Sequence, residues 1–278
     1  MQAVITQVIE TLVLAATVLL FVGFCVPSES PFRVVWERLR RVLTRRWPAM
    51  YLGFALVVIG TNVVLTHYDY YFTNWVVERN GSDYTHEIHR IEGDRVAYAQ
   101  ALRCMPLTCF FAYAYVIVFP CMVMVSMIVL DQLRKSRMLL VLLLAYTGNY
   151  IAVQPFYFFF PVTECNMYLK HVPLLLDDLH PAIMQALRPM SGPDNCFPSF
   201  HTSLSVVVAL TALRSGHRRL AALMCFFAVA IIFSTLYLGV HWLLDVAAGI
   251  VTGLVVYAAA EWLGARLAPR FGLAAEDA

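Results

Sequence analysis

The sequence has few charged residues. Only 14% of its 278 residues are Asp, Glu, Lys or Arg, whereas 60% are hydrophobic. A soluble domain has roughly 25% charged residues, so this composition excludes an ordinary soluble protein and indicates a polytopic membrane protein. The net charge of +2 is small, and we expect no nucleic-acid partner.

Two metal-binding patterns are also missing. No Cys-x-x-Cys pair occurs among the seven cysteines, which argues against a thiolate metal site. The sequence His86-Glu87-Ile88-His89 has the wrong spacing for the zinc motif His-Glu-x-x-His. We therefore expect neither a metal ion nor another cofactor.

Apolar runs dominate the chain and predict an all-α membrane protein, since helices satisfy their own backbone hydrogen bonds in lipid. The start of the chain lacks the basic region of a cleavable signal peptide, so we expect the first run to remain as a span. The predicted spans are residues 5–26, 49–66, 106–130, 138–162, 200–213, 220–240 and 242–267, the fifth being short. The predicted organisation is an N-terminal span with a basic segment (1–47), a catalytic helical domain (48–267) and a tail (268–278).

The charges of the connecting loops alternate along the chain. Residues 33–46, 131–137 and 214–219 are rich in arginine and lysine, whereas 67–103 and 164–195 contain more acids than bases. The positive-inside rule places the basic loops in the cytoplasm. The sequence therefore predicts a multi-pass protein of the cytoplasmic membrane, with residues 198–201 and 240–241 on the same extracytoplasmic face.

The first polar motif surrounds Pro198, Ser199 and His201 at the start of an apolar run. Ser199 is suited to cap the following helix, whose free N–H groups and positive dipole end would bind a phosphate. His201 in the first turn could then exchange a proton with the bound group. The alternative is that Ser199 only caps and His201 is an interfacial histidine.

The second polar motif contains His241 and Asp245, four residues apart and therefore on one helix face. A carboxylate there can bind one ring nitrogen and leave the other free as a nucleophile. The alternative is a helix pair that satisfies itself near the interface. Because the loop charges place both histidines on one face, we interpret them as two parts of a phosphoryl-transfer site.

These motifs resemble those of the type 2 phosphatidic acid phosphatase superfamily. Residues 198–201 match Pro-Ser-x-His, and residues 234–245 are similar to Ser-Arg-x5-His-x3-Asp. The resemblance implies a six-helix bundle, here with an extra N-terminal transmembrane helix, and a mechanism that needs no metal. The implied roles are a phosphohistidine-forming nucleophile, its orienting carboxylate, an acid for the leaving alcohol and a phosphate contact: His241, Asp245, His201 and Ser199.

The sequence also departs from the family pattern. Thr235 stands where the family has arginine, and Lys-x6-Arg-Pro is not matched, because Pro181 lies seven positions before Arg188. The motif style is similar to the inositol phosphorylceramide synthase branch. Fewer cations favour a phosphodiester, which has one negative charge, over a monoester. We therefore expect phosphotransfer from a lipid phosphoester to an alcohol acceptor, with a lipid phosphatase acting on phosphatidic acid or a prenyl diphosphate as the alternative.

Several further residues are candidates for substrate binding. Lys170, His171 and Arg188 could replace the missing cations, and Ser234 begins the second motif. Asn149, Tyr150 and Gln154 either line a headgroup pocket or bond to other helices. Residues 156–160 are expected to form an interfacial aromatic belt or, alternatively, a lipid gate. A lipid-binding or transport protein is the non-enzymatic alternative, but its polar residues would lie near mid-membrane.

The sequence also predicts a disulfide, the conformation of two segments outside the spans and one close helix contact. Cys165 and Cys196 could form a disulfide over the site, with Cys104 as a rival partner. Residues 31–47 form either an interfacial amphipathic helix or a solvated basic loop. Residues 83–103 form either an external helix on the site or an ordinary loop. Gly249-x-x-x-Gly253 predicts a close helix approach.

Overall fold

The computed structural model describes residues 2–44, 48–179 and 192–273, and it is a bundle of helices. Within these ranges the β-type pairing is confined to an isolated bridge between Val162 and Asn195. The helices are α1 (Gln2–Cys25), α2 (Pro31–Thr44), α3 (Pro48–Asn80), α4 (Thr85–Glu92), α5 (Met105–Tyr113), α6 (Phe119–Gln132), α7 (Ser136–Phe159), α8 (Cys165–Tyr168), α9 (Phe200–Arg214), α10 (Arg218–Tyr237) and α11 (Leu243–Leu267).

Five segments of the described chain are long and apolar enough to cross a membrane. They coincide with predicted spans and confirm an all-α membrane bundle. The second predicted span lies in α3, which continues to Asn80, well past the predicted end at Thr66. The five segments are Val8–Cys25, Met105–Gln132, Ser136–Phe159, Arg218–Tyr237 and Leu243–Phe271.

Helix α9 is apolar but has only 15 residues. At 1.5 Å per residue it is about 22 Å long, whereas the hydrocarbon core of a bilayer is about 30 Å thick. The helix is therefore shorter than that core, and its last residue, Arg214, pairs with Glu261 of α11 at 3.1 Å.

Two glycines of α11 bring its backbone against α9. A Cβ atom on Gly249 would lie 2.7 Å from the carbonyl oxygen of Ser199, and one on Gly253 would lie 2.6 Å from that of Ser203. Any larger side chain would push the helices apart. The close approach predicted from the Gly-x-x-x-Gly pattern is confirmed, and it brings together the two helices that follow the polar motifs.

A π-helical turn over Ala114–Val118 joins α5 to α6. It directly precedes Phe119-Pro120. Proline lacks an N–H and its ring clashes with the carbonyl four residues earlier in an α-helix, so a wider turn relieves both problems. Such turns inside helices are frequent at functional sites, and this one places the rings of Tyr115 and Phe119 beside His201.

Helix α2 is amphipathic, which agrees with the helical alternative for residues 31–47. Arg38 is buried and forms an ion pair with Asp131 of α6. Phe32, Trp36 and Leu39 are exposed on the same helix. The location of this helix at the cytoplasmic interface stays a prediction.

The segment at residues 83–103 is also helical, as α4 followed by a 3₁₀ turn at Arg95–Gln100. Gln100 donates from its side chain to the carbonyl oxygens of Pro173 and Tyr237, both at 3.0 Å. Glu92 bonds to the start of α11. The segment is therefore helical and contacts the start of α11, and its external location over the site stays a prediction.

Candidate active site

Ser199 caps α9, as the sequence predicts. The Ser199 side chain is fully buried, and its Oγ accepts a hydrogen bond from the Thr202 amide at 3.3 Å. The Ser199 amide donates to the carbonyl oxygen of Asp245 at 3.0 Å, which joins the two motifs through their backbones. The amides of Phe200 and His201, at the first two helical positions, have no intrahelical acceptor. They are suited to bind an anion.

The His201 ring is held between two aromatic rings from the π-turn region. Its centroid lies 4.1 Å from that of Tyr115 at an interplanar angle of 16°, and 4.2 Å from that of Phe119 at 36°. Sequence reasoning missed both aromatic residues. Pro120 inside an apolar run was the available signal, since it predicts a local break in the helix.

His241 lies in a tight connection between α10 and α11. The amides of Val240 and His241 both donate to the carbonyl oxygen of Thr235, at 3.1 and 3.0 Å. Gly239 permits this turn with a φ of +81°, and a Cβ atom there would lie 2.6 Å from the carbonyl oxygen of Pro173. Both the backbone conformation and the available space therefore require glycine.

The predicted contact between His241 and Asp245 is present. His241 Nδ1 lies 3.3 Å from Asp245 Oδ2, which also accepts the Trp242 amide at 2.9 Å. Asp245 is fully buried and His241 is almost so. Because the carboxylate accepts from Nδ1–H, Nε2 is left as the ring's free lone-pair atom. The His241 ring centroid is 6.4 Å from that of His201.

The structure corrects the disulfide hypothesis. Cys165 and Cys196 are free, buried thiols, and Cys104 is also free. The Sγ of Cys165 donates to the carbonyl oxygen of His241 at 3.5 Å, and that of Cys196 donates to that of Val240 at 3.7 Å. Burial raises the pKa of both thiols above its usual range. The two residues support the His241 turn separately instead of bonding to each other.

The candidates on α7 differ in their surroundings. The Tyr150 ring packs against Phe200, the residue before His201 in the sequence, with centroids 4.5 Å apart. Asn149 is fully buried, and its side-chain oxygen and nitrogen have no partner among the described residues. Gln154 is half-buried on the same helix. A headgroup-binding role for these three stays a prediction.

Ser234 is directed toward its own helix. Its buried hydroxyl donates to the carbonyl oxygen of Ile231 at 2.7 Å. Thr235, at the position of the family arginine, similarly donates to Ile232 at 2.8 Å. The structure therefore gives no support to a substrate contact by Ser234, whereas the backbone of Thr235 has a clear role in holding His241.

The expected cations are not assembled around the histidines in the described ranges. Lys170 is exposed, and His171 Nε2 lies 3.6 Å from Asp94 Oδ2. Arg188 lies outside the described residues. Within residues 2–44, 48–179 and 192–273, no lysine or arginine bonds to either site histidine or to Asp245.

One group of described side chains has donor atoms close enough to hold a metal ion. A sulfur, a ring nitrogen and a carboxylate oxygen lie within 4.8 Å of one another, from Cys196, His241 and Asp245. The imidazole and the carboxylate bond to each other, and the raised pKa of the Cys196 thiol favours its protonated form. A metal ion bound there would have to break the His241–Asp245 hydrogen bond and remove the proton from the Cys196 thiol.

A capped helix start thus lies beside a carboxylate-bound histidine inside a membrane helical bundle. The sequence profile of the PAP2 superfamily matches residues 95–259, and the chain belongs to this superfamily. Membership supports a lipid phosphatase-type function. The matched region contains Ser199, His201, His241 and Asp245. No curated protein and no solved structure matches the chain.

Proposed function

We propose that this protein transfers a phospho group from a lipid phosphodiester to an alcohol acceptor, through a phosphohistidine on His241. The proposal rests on the pairing of His241 Nδ1 with the buried Asp245 carboxylate, 3.3 Å away, beside the His201 ring. This arrangement supplies a nucleophile and a separate proton donor for one phosphorus atom. A resemblance to the inositol phosphorylceramide synthase branch supports the same reaction class.

In the first step, Nε2 of His241 attacks phosphorus. The N–P bond forms while the bond between phosphorus and the leaving oxygen breaks. His201 donates its proton to that oxygen, so the product leaves as an alcohol. Asp245 holds the His241 ring and stabilises the positive charge that develops on it. The free amides of Phe200 and His201 are available for the phosphoryl oxygens.

In the second step, His201 acts as a base. It takes the proton of the acceptor hydroxyl, whose oxygen attacks phosphorus and breaks the N–P bond. His241 returns to its neutral state and His201 is again protonated. Two substitutions thus replace one difficult displacement, which is the usual benefit of a covalent intermediate.

The electrostatics of the described site favour a phosphodiester substrate. A monoester dianion needs more cationic stabilisation than a diester, which has a single charge. Thr235 replaces the family arginine, the buried Asp245 carboxylate contacts the nucleophile, and the buried Glu92 caps the helix that carries Asp245. The charges of the loops further support an extracytoplasmic position of the site, in the cytoplasmic membrane, so both lipids would come from the outer leaflet.

Hydrolysis is the second candidate, because PAP2 membership supports a phosphatase-type function. Water would then replace the acceptor alcohol in the second step. The substrate would be phosphatidic acid or a prenyl diphosphate, and the product would be inorganic phosphate.

Proteoliposomes containing purified protein can decide between the two reactions. We expect phosphatidylinositol to be consumed rapidly only when ceramide is added, with the phosphoinositol head group recovered on ceramide and diacylglycerol released. Release of phosphate from phosphatidic acid, with no acceptor-dependent product, would contradict transfer. His241→Ala should abolish turnover and the acid-labile phosphoenzyme, and full activity of that variant would exclude the histidine mechanism.

A further inference from the structure

The start of α11 is capped by a carboxylate from another part of the chain. Oε1 of Glu92 accepts the Leu243 amide at 3.1 Å, and Oε2 accepts the Leu244 amide at 2.9 Å. The first amides of a helix lack intrahelical acceptors, and a carboxylate at this end also interacts well with the helix dipole. Glu92 therefore connects α4 to the first turn of the helix that carries Asp245.

This carboxylate is costly to keep where it is. Glu92 is only 4% exposed, and a buried charge is unfavourable unless it is hydrogen-bonded. Burial and the neighbouring Asp245 carboxylate raise the pKa of Glu92, while the two amides and His89 oppose that rise. A neutral cap would hold the helix start without placing a second negative charge beside Asp245.

The position of Glu92 relates it to both parts of the catalytic pair. Leu243 and Leu244 lie between His241 and Asp245 in the sequence, so the two hydrogen bonds fix the backbone that connects them. The same bonds use two amides at the start of α11. The free amides for a phosphate are consequently those at the start of α9.

We propose that Glu92 is a positioning residue for phosphotransfer, which fixes the backbone between His241 and Asp245. The inference rests on the proposed function. Glu92 lies outside the region matched by the family profile, which begins at residue 95. The effect is exerted through His241 and Asp245, and Glu92 itself does not touch phosphorus.

The test compares Glu92→Gln with Glu87→Gln, a control on the exposed side of the same helix. Glutamine keeps the size of the side chain and one acceptor oxygen but removes the charge. We expect kcat of Glu92→Gln to fall roughly ten- to hundredfold with KM changed less than about twofold, since small misplacements of reacting groups have effects of this size. Glu92→Asp should recover part of the loss, and Glu87→Gln should match the wild type.

The kinetic constants of the folded protein distinguish positioning from simple stabilisation. A variant that is only less stable contains less folded protein, but each folded molecule keeps its kcat. A displaced His241 ring instead lowers kcat of the folded protein while KM changes little.

A substrate-free measurement separates this inference from the proposed function. The Nδ1 signal of His241 in ¹⁵N-histidine NMR, identified with His241→Gln, reports the contact with Asp245 and should change in Glu92→Gln but not in Glu87→Gln. If that change occurs but wild-type protein forms no phosphoenzyme, the proposed reaction is wrong and the positioning role stands. If Glu92→Gln only lowers the melting temperature, with kcat and the His241 signal unchanged in the folded protein, Glu92 is purely structural and the inference is overturned.

Discussion

The imidazole rings of His201 and His241 lie with their centroids 6.4 Å apart. Ser199, just before His201, donates its amide to the carbonyl oxygen of Asp245, just after His241. The separation of the two rings is therefore set by main-chain contacts. This relationship allows the roles of the two histidines to be tested independently.

His201→Ala should separate the two chemical steps. When the enzyme lacks the His201 acid, the first step with a lipid substrate, whose leaving group is poor, should be about 10²- to 10⁴-fold slower. A p-nitrophenyl phosphodiester needs no protonation of its leaving group, so it should still phosphorylate His241. Because the variant also lacks His201 as the base of the second step, the phosphoenzyme should accumulate after a burst of p-nitrophenol.

Acid-labile radiolabel and the burst amplitude measure that accumulation. Asp245→Asn is the comparison variant, because it disturbs the nucleophile and should reduce the burst itself. A His201→Ala variant that turned over the activated and the natural substrate equally poorly, with no burst, would contradict the assignment of His201 as acid and base.

Gly249→Ala should impair catalysis without touching a reacting group. The added Cβ would meet the Ser199 carbonyl oxygen at 2.7 Å. Overpacking of this kind costs about 1–3 kcal/mol, and a shift of about 1 Å in the catalytic geometry can lower kcat about a hundredfold. Thermal unfolding and proteoliposome activity measure the two effects.

Gly60→Ala is the matched control for that substitution. Gly60 is also helical, but nothing lies within 4 Å of a Cβ placed there, so alanine should leave activity unchanged and stabilise α3 by roughly 0.5–1 kcal/mol. Equal activity of Gly249→Ala and Gly60→Ala would show that the α9–α11 contact does not control the site.

Tyr115→Leu should loosen the His201 ring. A stacked aromatic pair contributes about 0.5–1.5 kcal/mol beyond its buried area, so we expect kcat to fall about two- to tenfold with little change in KM. Tyr115→Phe retains the stacking ring and should remain close to the wild type. A larger loss in Tyr115→Phe than in Tyr115→Leu would indicate a role for the hydroxyl instead of the ring.

Alkylation can test the thiol state of Cys165 and Cys196. Both are buried, and their raised pKa values leave little reactive thiolate at pH 8. In folded protein Cys165 and Cys196 should therefore stay unmodified, whereas the exposed Cys104 should react. After unfolding without reductant, mass spectrometry should find Cys165 and Cys196 alkylated. A requirement for reductant would show that they form a disulfide.

Much of the site could be predicted because its chemistry is local in the sequence. The Ser199 cap and the His241–Asp245 pair each depend on a spacing of three or four residues, which helix geometry converts directly into contact. The pairing of two distant motifs at one end of the bundle followed from the loop charges. The short length of the fifth apolar run similarly predicted a short α9.

The remaining features depend on contacts between distant segments. Nothing near Glu92 in the sequence shows that it caps α11, and Tyr115 reaches His201 only because Pro120 is preceded by a π-turn. The disulfide hypothesis was wrong for the same reason. Two cysteines on one loop look suited to pair, but their hydrogen-bond acceptors are the carbonyls around His241, in a different segment of the chain.

The short length of α9 has a consequence for the competition between water and alcohol. If a phosphohistidine forms beneath the interface, an acceptor dissolved in the same leaflet already lies at the correct depth, whereas each water molecule must leave the bulk solvent to reach it. The thickness of the surrounding bilayer then influences the ratio of transfer to hydrolysis. Lipids with shorter acyl chains, which bring the interface closer to His201, should shift that ratio toward hydrolysis.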